Sequence, residues 1–265
     1  MDLQLADKVA LVAASSRGIG RATAHRLAEE GAAVTLTARD TETLTGAREG
    51  ILETTDADPS RILTQQCDIT RRGDITDAVE ATVDRFDGLD ILVNNHGGPP
   101  AVTFADASDE QWDDAYELII KSNIWLSEAA IPHLLDSDHG ALVTVTSASA
   151  QESTENHALS NVFRLGLYGL TKTLAKEYAP SIRANCVAPR YVMTERIEYK
   201  IERRAEYEGI TEEEAMQARN EEVLLDRPGD PAEFADVVAF VASPRASYTT
   251  GDIVRVDGGW KEGVL

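Results

Sequence analysis

A chain of 265 residues, 43% of them hydrophobic, can bury one sizeable core and is expected to form a single domain over 1–265. Forty-six acids against 25 bases, only six of them lysine, leave a formal charge of −21; such a field repels nucleic acid and anionic membranes and excludes both as partners. Two cysteines, Cys67 and Cys186, allow neither a disulfide framework nor a metal-ligand cluster, and no apolar run approaches the roughly 18 residues of a membrane span.

The acids are spread along the chain, which argues against a disordered acidic tail. Heavy acid loading with little lysine resembles proteins of salt-loaded cytoplasms, where screening removes self-repulsion, and marks the chain as halophilic. A merely acidic protein of an ordinary cytoplasm is the plainer alternative. Met1 to Lys8 has no apolar run like that of a signal peptide, so a cytoplasmic location is expected.

Strands are predicted at Val9 to Ala14, Ala33 to Ala38, Arg61 to Cys67, Leu89 to Asn94, Gly140 to Thr146, Ile182 to Val187 and Ile253 to Val256. Helical patterns lie between them, as in Arg21 to Glu30, where Ala22, Ala24, Leu27 and Ala28 make an apolar face. This alternation predicts an α/β fold, a doubly wound (Rossmann-type), mostly parallel sheet with right-handed crossovers. Thr194 to Leu225 breaks the alternation with an acid-rich helical stretch. In such a fold it sits above the strand ends and reads as a substrate-covering flap, with a helical pair at an oligomer interface as the alternative.

Ala14-Ser15-Ser16-Arg17-Gly18-Ile19-Gly20 follows the first strand and opens the first helix. Gly18 lets the backbone approach a pyrophosphate, Gly20 allows close helix–strand packing, and the helix N-terminus offers unpaired N–H groups to phosphate. The segment resembles the G-x-x-x-G-x-G loop of the short-chain dehydrogenase/reductase family, with Ala14 in place of the first glycine; alanine forbids an easy positive φ there. The resemblance runs over nearly the whole chain. Asp68, followed by Ile69, matches the adenine-contacting Asp, and Asn94-Asn95-His96-Gly97 the N-N-A-G turn. Pro189-Arg190-Tyr191-Val192-Met193-Thr194 matches the P-G-x-x-x-T segment that cradles the nicotinamide. The end matches too, from Thr250-Gly251 to Val256-Asp257-Gly258-Gly259. The resemblance implies a nicotinamide dinucleotide held by Ser16, Arg17, Gly18, Ile19, Gly20, Arg39, Asp68, Ile69, Asn95, Gly97, Arg164, Pro189, Val192 and Thr194, with no metal.

Charge bears on which dinucleotide. NAD-specific relatives carry an acid at the end of the second strand, for the ribose 2′-hydroxyl. Here Ala38 takes that place, Arg39 follows, and Arg17 projects from the phosphate loop, so two guanidiniums face a 2′-phosphate and NADP(H) is expected over NAD. Asp40 is placed to pair with Arg39, and two surface arginines in salt bridges are the plainer reading.

The family's catalytic set is Asn–Ser–Tyr–Lys. Asn123 and Ser147 match its first two members. Gly169-Leu170-Thr171-Lys172 fixes the register of the active-site helix and puts Ser160 at the tyrosine and Arg164 at the lysine. Tyr168 and Lys172 also spell Y-x-x-x-K, but eight residues of helix mean about 12 Å of rise and about 80° of rotation, so Tyr168 faces elsewhere. Tyr191, His157 and His96 are alternative proton donors by position. Arg190, Arg196, Arg203 and Arg204 are candidates to receive an anionic group, or else pair with neighbouring glutamates.

The Ser/Arg pair resembles a side branch of the family labelled 3-oxoacyl reductase-like or grouped with sugar dehydrogenases. It implies an oxidoreductase moving a hydride between NADP(H) and a small carbonyl or alcohol, in a homo-oligomer (dimer or tetramer). The rival is a non-catalytic or weakly catalytic NADP(H)-binding protein acting as sensor or oligomer partner; the fold does not separate them.

Overall fold

The computed structural model describes residues 1–260. Seven parallel strands form one sheet in the order β3-β2-β1-β4-β5-β6-β7. They are β1 (Val9–Val12), β2 (Ala33–Ala38), β3 (Ile62–Gln66), β4 (Ile91–Asn94), β5 (Gly140–Val145), β6 (Ile182–Pro189) and β7 (Ile253–Val256). The connections carry α1 (Gly18–Glu29), α2 (Thr41–Thr54), α3 (Arg72–Phe86), α4 (Asp109–Tyr116), α5 (Ser122–Asp136), α6 (Ala158–Tyr178), α7 (Glu195–Glu208), α8 (Glu212–Asn220) and α9 (Pro231–Ala242). The protein has the doubly wound α/β fold that strand–helix alternation predicts.

Side chains alternate across a strand, so the sheet feeds two cores. Ala10 and Val12 face a layer containing Leu27 of α1, Leu44 and Ile51 of α2, and Phe234 and Val238 of α9. Val9, Leu11 and Ala13 face the other, with Ile75 and Ala78 of α3 and Leu126, Ala130 and Leu134 of α5. Both layers are closed to solvent, and truncation of a fully buried ring such as Phe234 costs about 3–5 kcal/mol. Among the described residues, no helix is long and apolar enough to cross a membrane. Cys67 and Cys186 are free and buried, and burial pushes both thiols up to about 12.

Several strand ends differ from expectation. β4 starts at Ile91, not Leu89, and β6 runs on to Pro189. β1 stops at Val12. Ala13 N still donates to the Val93 carbonyl at 3.0 Å, but Ala14 turns away with a φ of 48°. The alanine thus adopts the left-handed backbone it was expected to resist, at a cost of about 1–2 kcal/mol.

The helical stretch expected over residues 194–225 forms two helices, α7 and α8. Gly209, with a φ of 68°, ends α7, and a reciprocal Thr211–Glu214 capping box starts α8. Ile201, Ala205 and Ala215 make the pair a small core of its own. From β1 the chain moves outward to β2 and β3, then returns to place β4 on the other side. That reversal opens a crevice over the C-terminal ends of β1 and β4.

Candidate active site

A cavity of about 1050 Å³ occupies this crevice, from the β2–α2 turn across the start of α1 to α6, α7 and α8. At the α1 end the main chain is tightly laced. Ser15 Oγ donates to the Val12 carbonyl at 2.8 Å and accepts from Thr37 N at 3.0 Å. Asn95 Nδ2 donates to the carbonyls of Ala13 and Ala14 at 3.1 and 3.0 Å, tying the end of β4 to the loop. A Cβ on Gly20 would meet the Ala14 oxygen at 2.4 Å and Asn95 Nδ2 at 2.6 Å, so the close packing needs glycine. Gly18, at a φ of 54°, lies against Thr194. No side chain caps α1, so its first N–H groups and positive dipole end face the cavity beside Ser16, Arg17 and Ile19.

Arg39, Asp68 and Ile69 line the far end of this half. Among the described residues, neither Arg17 nor Arg39 has a carboxylate within salt-bridge distance. Asp40 is not Arg39's partner. Its carboxylate caps α2, accepting from Thr43 N at 2.8 Å, and these bonds hold it below its ordinary range with help from the charge of Arg17. Asp68 is likewise held low: burial works against this, but Thr70 donates to it from N and Oγ1, and Arg39 and Arg71 lie near.

The other half is built from the end of β5 and the start of α6. Ser147, Ser160 and Arg164 line the cavity together with Asn95, Gly97, Pro189, Val192 and Thr194. Ser147 Oγ hydrogen-bonds with Ser149 Oγ at 2.8 Å. The Arg164 guanidinium donates to the Thr146 carbonyl, and burial followed by repulsion from Arg196 presses it down to about 10, still charged at any working pH. Tyr168 lies outside the cavity lining and donates from its hydroxyl to the Ser147 carbonyl at 2.9 Å. Lys172 reaches the Gly251 carbonyl at 3.0 Å.

Asn123 does not line the cavity. It sits just past a wide helical turn at Glu117–Lys121, with Nδ2 donating to the Ile119 carbonyl at 2.7 Å and a buried Oδ1 that has no partner among the described residues. Of the alternative proton donors, Tyr191 is buried outside the lining. His96 lines the cavity, but burial and the charge of Arg164 push it down to about 3, so it is a neutral imidazole. His157 also lines it and is held low chiefly by burial; its Nδ1 donates to the Glu155 carbonyl at 2.7 Å, leaving Nε2 to accept from Lys200 Nζ at 3.5 Å.

Lys200 and Arg219 were not legible as site residues from sequence, because a helical pattern does not say which face turns inward. Both line the cavity, as do Arg190 and Arg196. Arg203 and Arg204 do not: they are exposed and paired with Glu206 and Glu208, so for these two the glutamate pairing holds and the anion-receiving reading does not. Lys200 is pushed down to about 8 by burial and then by Arg196, Arg219, Arg190 and Arg164. The cavity thus inverts the charge of the chain. Arg17, Arg39, Arg164, Arg190, Arg196, Lys200 and Arg219 line it, against Asp40, Asp68 and Glu195.

The sequence matches the family model described as enoyl-(acyl carrier protein) reductase over residues 13–261. Human dehydrogenase/reductase SDR family member 4 is 34% identical over 257 residues, 96% of this chain and 88% of that protein. Among solved structures, L-sorbose reductase from Gluconobacter frateurii, complexed with NADPH and L-sorbose, superposes with a TM-score of 0.94 at 30% identity, covering 100% of both chains. A short-chain oxidoreductase from Pseudomonas aeruginosa, described as containing an atypical catalytic center, superposes with a TM-score of 0.90 at 32% identity over 98% of this chain and 99% of that one. Its NADPH-bound form gives 0.89 at 31%, over 98% of each chain.

Proposed function

This chain belongs to the short-chain dehydrogenase/reductase family, and on that premise we propose that it transfers a hydride between NADP(H) and a carbonyl/alcohol substrate by a modified catalytic set. The observation that carries the reading is the pairing of Ser147, Ser160 and Arg164 in one cavity with an uncapped helix N-terminus flanked by Arg17 and Arg39.

The residues present fit the dinucleotide. Gly18 takes the positive φ of the loop, Gly20 lets the loop pack on Asn95, the first N–H groups of α1 meet phosphate, and Arg17 and Arg39 face a 2′-phosphate that no acid at position 38 opposes. Asp68 with Ile69 receives the adenine, and Asn95, Gly97, Pro189, Val192 and Thr194 enclose the nicotinamide end. Relatives solved with NADPH support the same choice. When bound, the nicotinamide donates or accepts the hydride.

The chain does the rest. Ser147 Oγ hydrogen-bonds the substrate oxygen. Arg164, rigidly held by the Thr146 carbonyl, keeps a fixed positive charge where a lysine is usual, binding the nicotinamide ribose and stabilising negative charge on that oxygen. The Ser160 hydroxyl is too weak an acid to replace a phenol; it donates a hydrogen bond, and the alkoxide takes its proton from solvent. Asn123 acts behind the cavity through its Oδ1, which has no partner among the described residues. The pair α7–α8 covers the substrate, and residues 194–225 form the flap.

The other reading is an NADP(H)-binding protein without turnover, favoured by the loss of both the tyrosine and the lysine. Titration with NADPH and NADH by cofactor fluorescence, followed by a carbonyl and polyol panel, separates the two. NADPH binding with turnover lost on Ser147→Ala supports the enzyme; binding with no turnover on any substrate supports the other reading.

We further propose a homo-oligomer formed through α6, where Val162 and Leu165 are each 54% exposed. The acidic surface fits a protein working in a salt-loaded cytoplasm.

A further inference from the structure

Elsewhere half-buried bases are held by carboxylates or carbonyls: Arg26 by Glu29, Glu30 and Asp236, and Arg183 by the carbonyls of Val241, Ala242, Ser243 and Ala246. At the flap end of the cavity the pattern fails. Among the described residues, Lys200 Nζ meets only His157 Nε2, at 3.5 Å, and Arg219 lies over the Tyr191 ring at 4.7 Å with a buried Nε that has no partner. Arg190 stacks on Trp260 at 4.1 Å and pairs with Glu222 only at 3.9 Å, and its buried Nε likewise has no partner among the described residues. Burial is the first cause that lowers the proton affinity of all three; Arg219 and Arg190 add to it at Lys200, and Arg219 at Arg190, while Glu222 offsets part of it at both arginines. Three like charges drawn into one desolvated corner destabilise the empty protein, and an incoming anion removes that penalty.

We propose that the substrate carries a carboxylate or phosphate group, bound by Lys200, Arg190 and Arg219 at the flap end of the cavity. The inference rests on the oxidoreductase reading and deepens it: the site takes an acidic carbonyl or hydroxy compound, not a neutral sugar or ketone. The group is not the cofactor's. The phosphates of a dinucleotide have their own partners at the start of α1, with Arg17 and Arg39, whereas these three cations come from the segment after β6 and from α7 and α8. Forked and point-charge donors together suit an anionic oxygen cluster.

The test is calorimetric titration of NADPH-saturated protein with malonate and, separately, inorganic phosphate, at fixed ionic strength. The expected result is saturable binding of at least one probe, weakened tenfold or more by Lys200→Met and by Arg219→Met. NADPH affinity should stay within twofold, and Arg203→Met, outside the cavity, should change nothing. Which probe binds more tightly distinguishes a carboxylate from a phosphate ester. A second arm compares a 3-oxo acid with its methyl ester, or a sugar phosphate with the free sugar, expecting at least a tenfold higher kcat/KM for the charged member. Equal or better turnover of the neutral member overturns the inference. So does anion binding that survives both variants, or binding seen only without NADPH. If no compound is turned over, the oxidoreductase reading fails, while the titration still decides whether the anion site exists.

Discussion

The Tyr168 hydroxyl donates to the Ser147 carbonyl oxygen at 2.9 Å, one helical turn beyond Arg164, which holds the Thr146 carbonyl. The tyrosine that looks like a proton donor in the sequence is thus a clamp on the backbone of the serine. Packed with Ala150 and Cys186, it has a phenol raised above its ordinary range chiefly by burial. Tyr168→Phe is expected to cost about 1 kcal/mol of stability and to leave kcat/KM within about fivefold. Ser147→Ala should lower kcat/KM about 100-fold, as loss of an oxyanion donor does. A loss in Tyr168→Phe as large as in Ser147→Ala would make the phenol a participant in the chemistry.

Much of this was readable from the chain. Strand–helix alternation predicted all seven strands, and counting back from Gly169-Leu170-Thr171-Lys172 put Ser160 and Arg164 on the cavity side of α6. What stayed hidden depended on orientation. Lys200 lies one turn along α7 from Arg196, yet Arg204, the same step further, points to solvent and Glu208. No periodicity separates them, because the difference lies in how far the helix reaches past the cavity rim. Asp40 could have paired with Arg39, but the local signal of an acid capping a helix, with Thr43 three residues on, outcompetes a charge pair with its neighbour.

Ala14 stores strain in the phosphate loop, at a φ of 48°. Ala14→Gly relieves about 1–2 kcal/mol of backbone cost and gives back about 0.4–1 kcal/mol through a freer unfolded chain. The net expectation is a stabilisation on the order of 0.5 kcal/mol in denaturant melts, with an unchanged slope. A destabilised variant would show that the alanine methyl makes packing contacts worth more than the strain.

Arg17 and Arg39 are expected to set cofactor choice. Each can give a 2′-phosphate charge-assisted hydrogen bonds worth about 1.5–3 kcal/mol, so replacing both with alanine should weaken NADPH binding about 100-fold or more and NADH binding less than threefold. Equal losses for the two cofactors would place these guanidiniums on the shared pyrophosphate instead.

Lys200 gives a pH signature. Its proton is lost near about 8, against an ordinary 10.5, because of burial and then the neighbouring arginines; those arginines stay charged, and His157 is held low and neutral. Between these two values the unfolded chain binds more protons than the folded one, so this group makes stability rise with pH across that window. Function runs the other way: KM for an acidic substrate should climb above about pH 8 with kcat little changed. Lys200→Met should raise KM at pH 7, abolish the climb, and stabilise the protein there by on the order of 1 kcal/mol, about 3 °C in melting temperature. A climb that persists in the variant would assign it to another group.

Salt should stabilise the protein. Two effects compete: screening weakens the attraction in surface pairs such as Arg227–Glu233, 2.7 Å apart, and weakens repulsion among the excess acids. Exposed pairs contribute about 0–1 kcal/mol each at best, while the repulsion sums over a net charge of −21. The repulsive side is therefore larger. Shortening the Debye length from about 10 Å at 0.1 M to about 3 Å at 1 M KCl should raise the melting temperature by about 5 °C or more. Sodium sulfate must be avoided as the only salt tested, since it also strengthens apolar burial, and agreement between KCl and NaCl isolates the charge effect. A melting temperature that falls as KCl rises would mean that the surface pairs outweigh the net charge and that the acidity is no adaptation to salt.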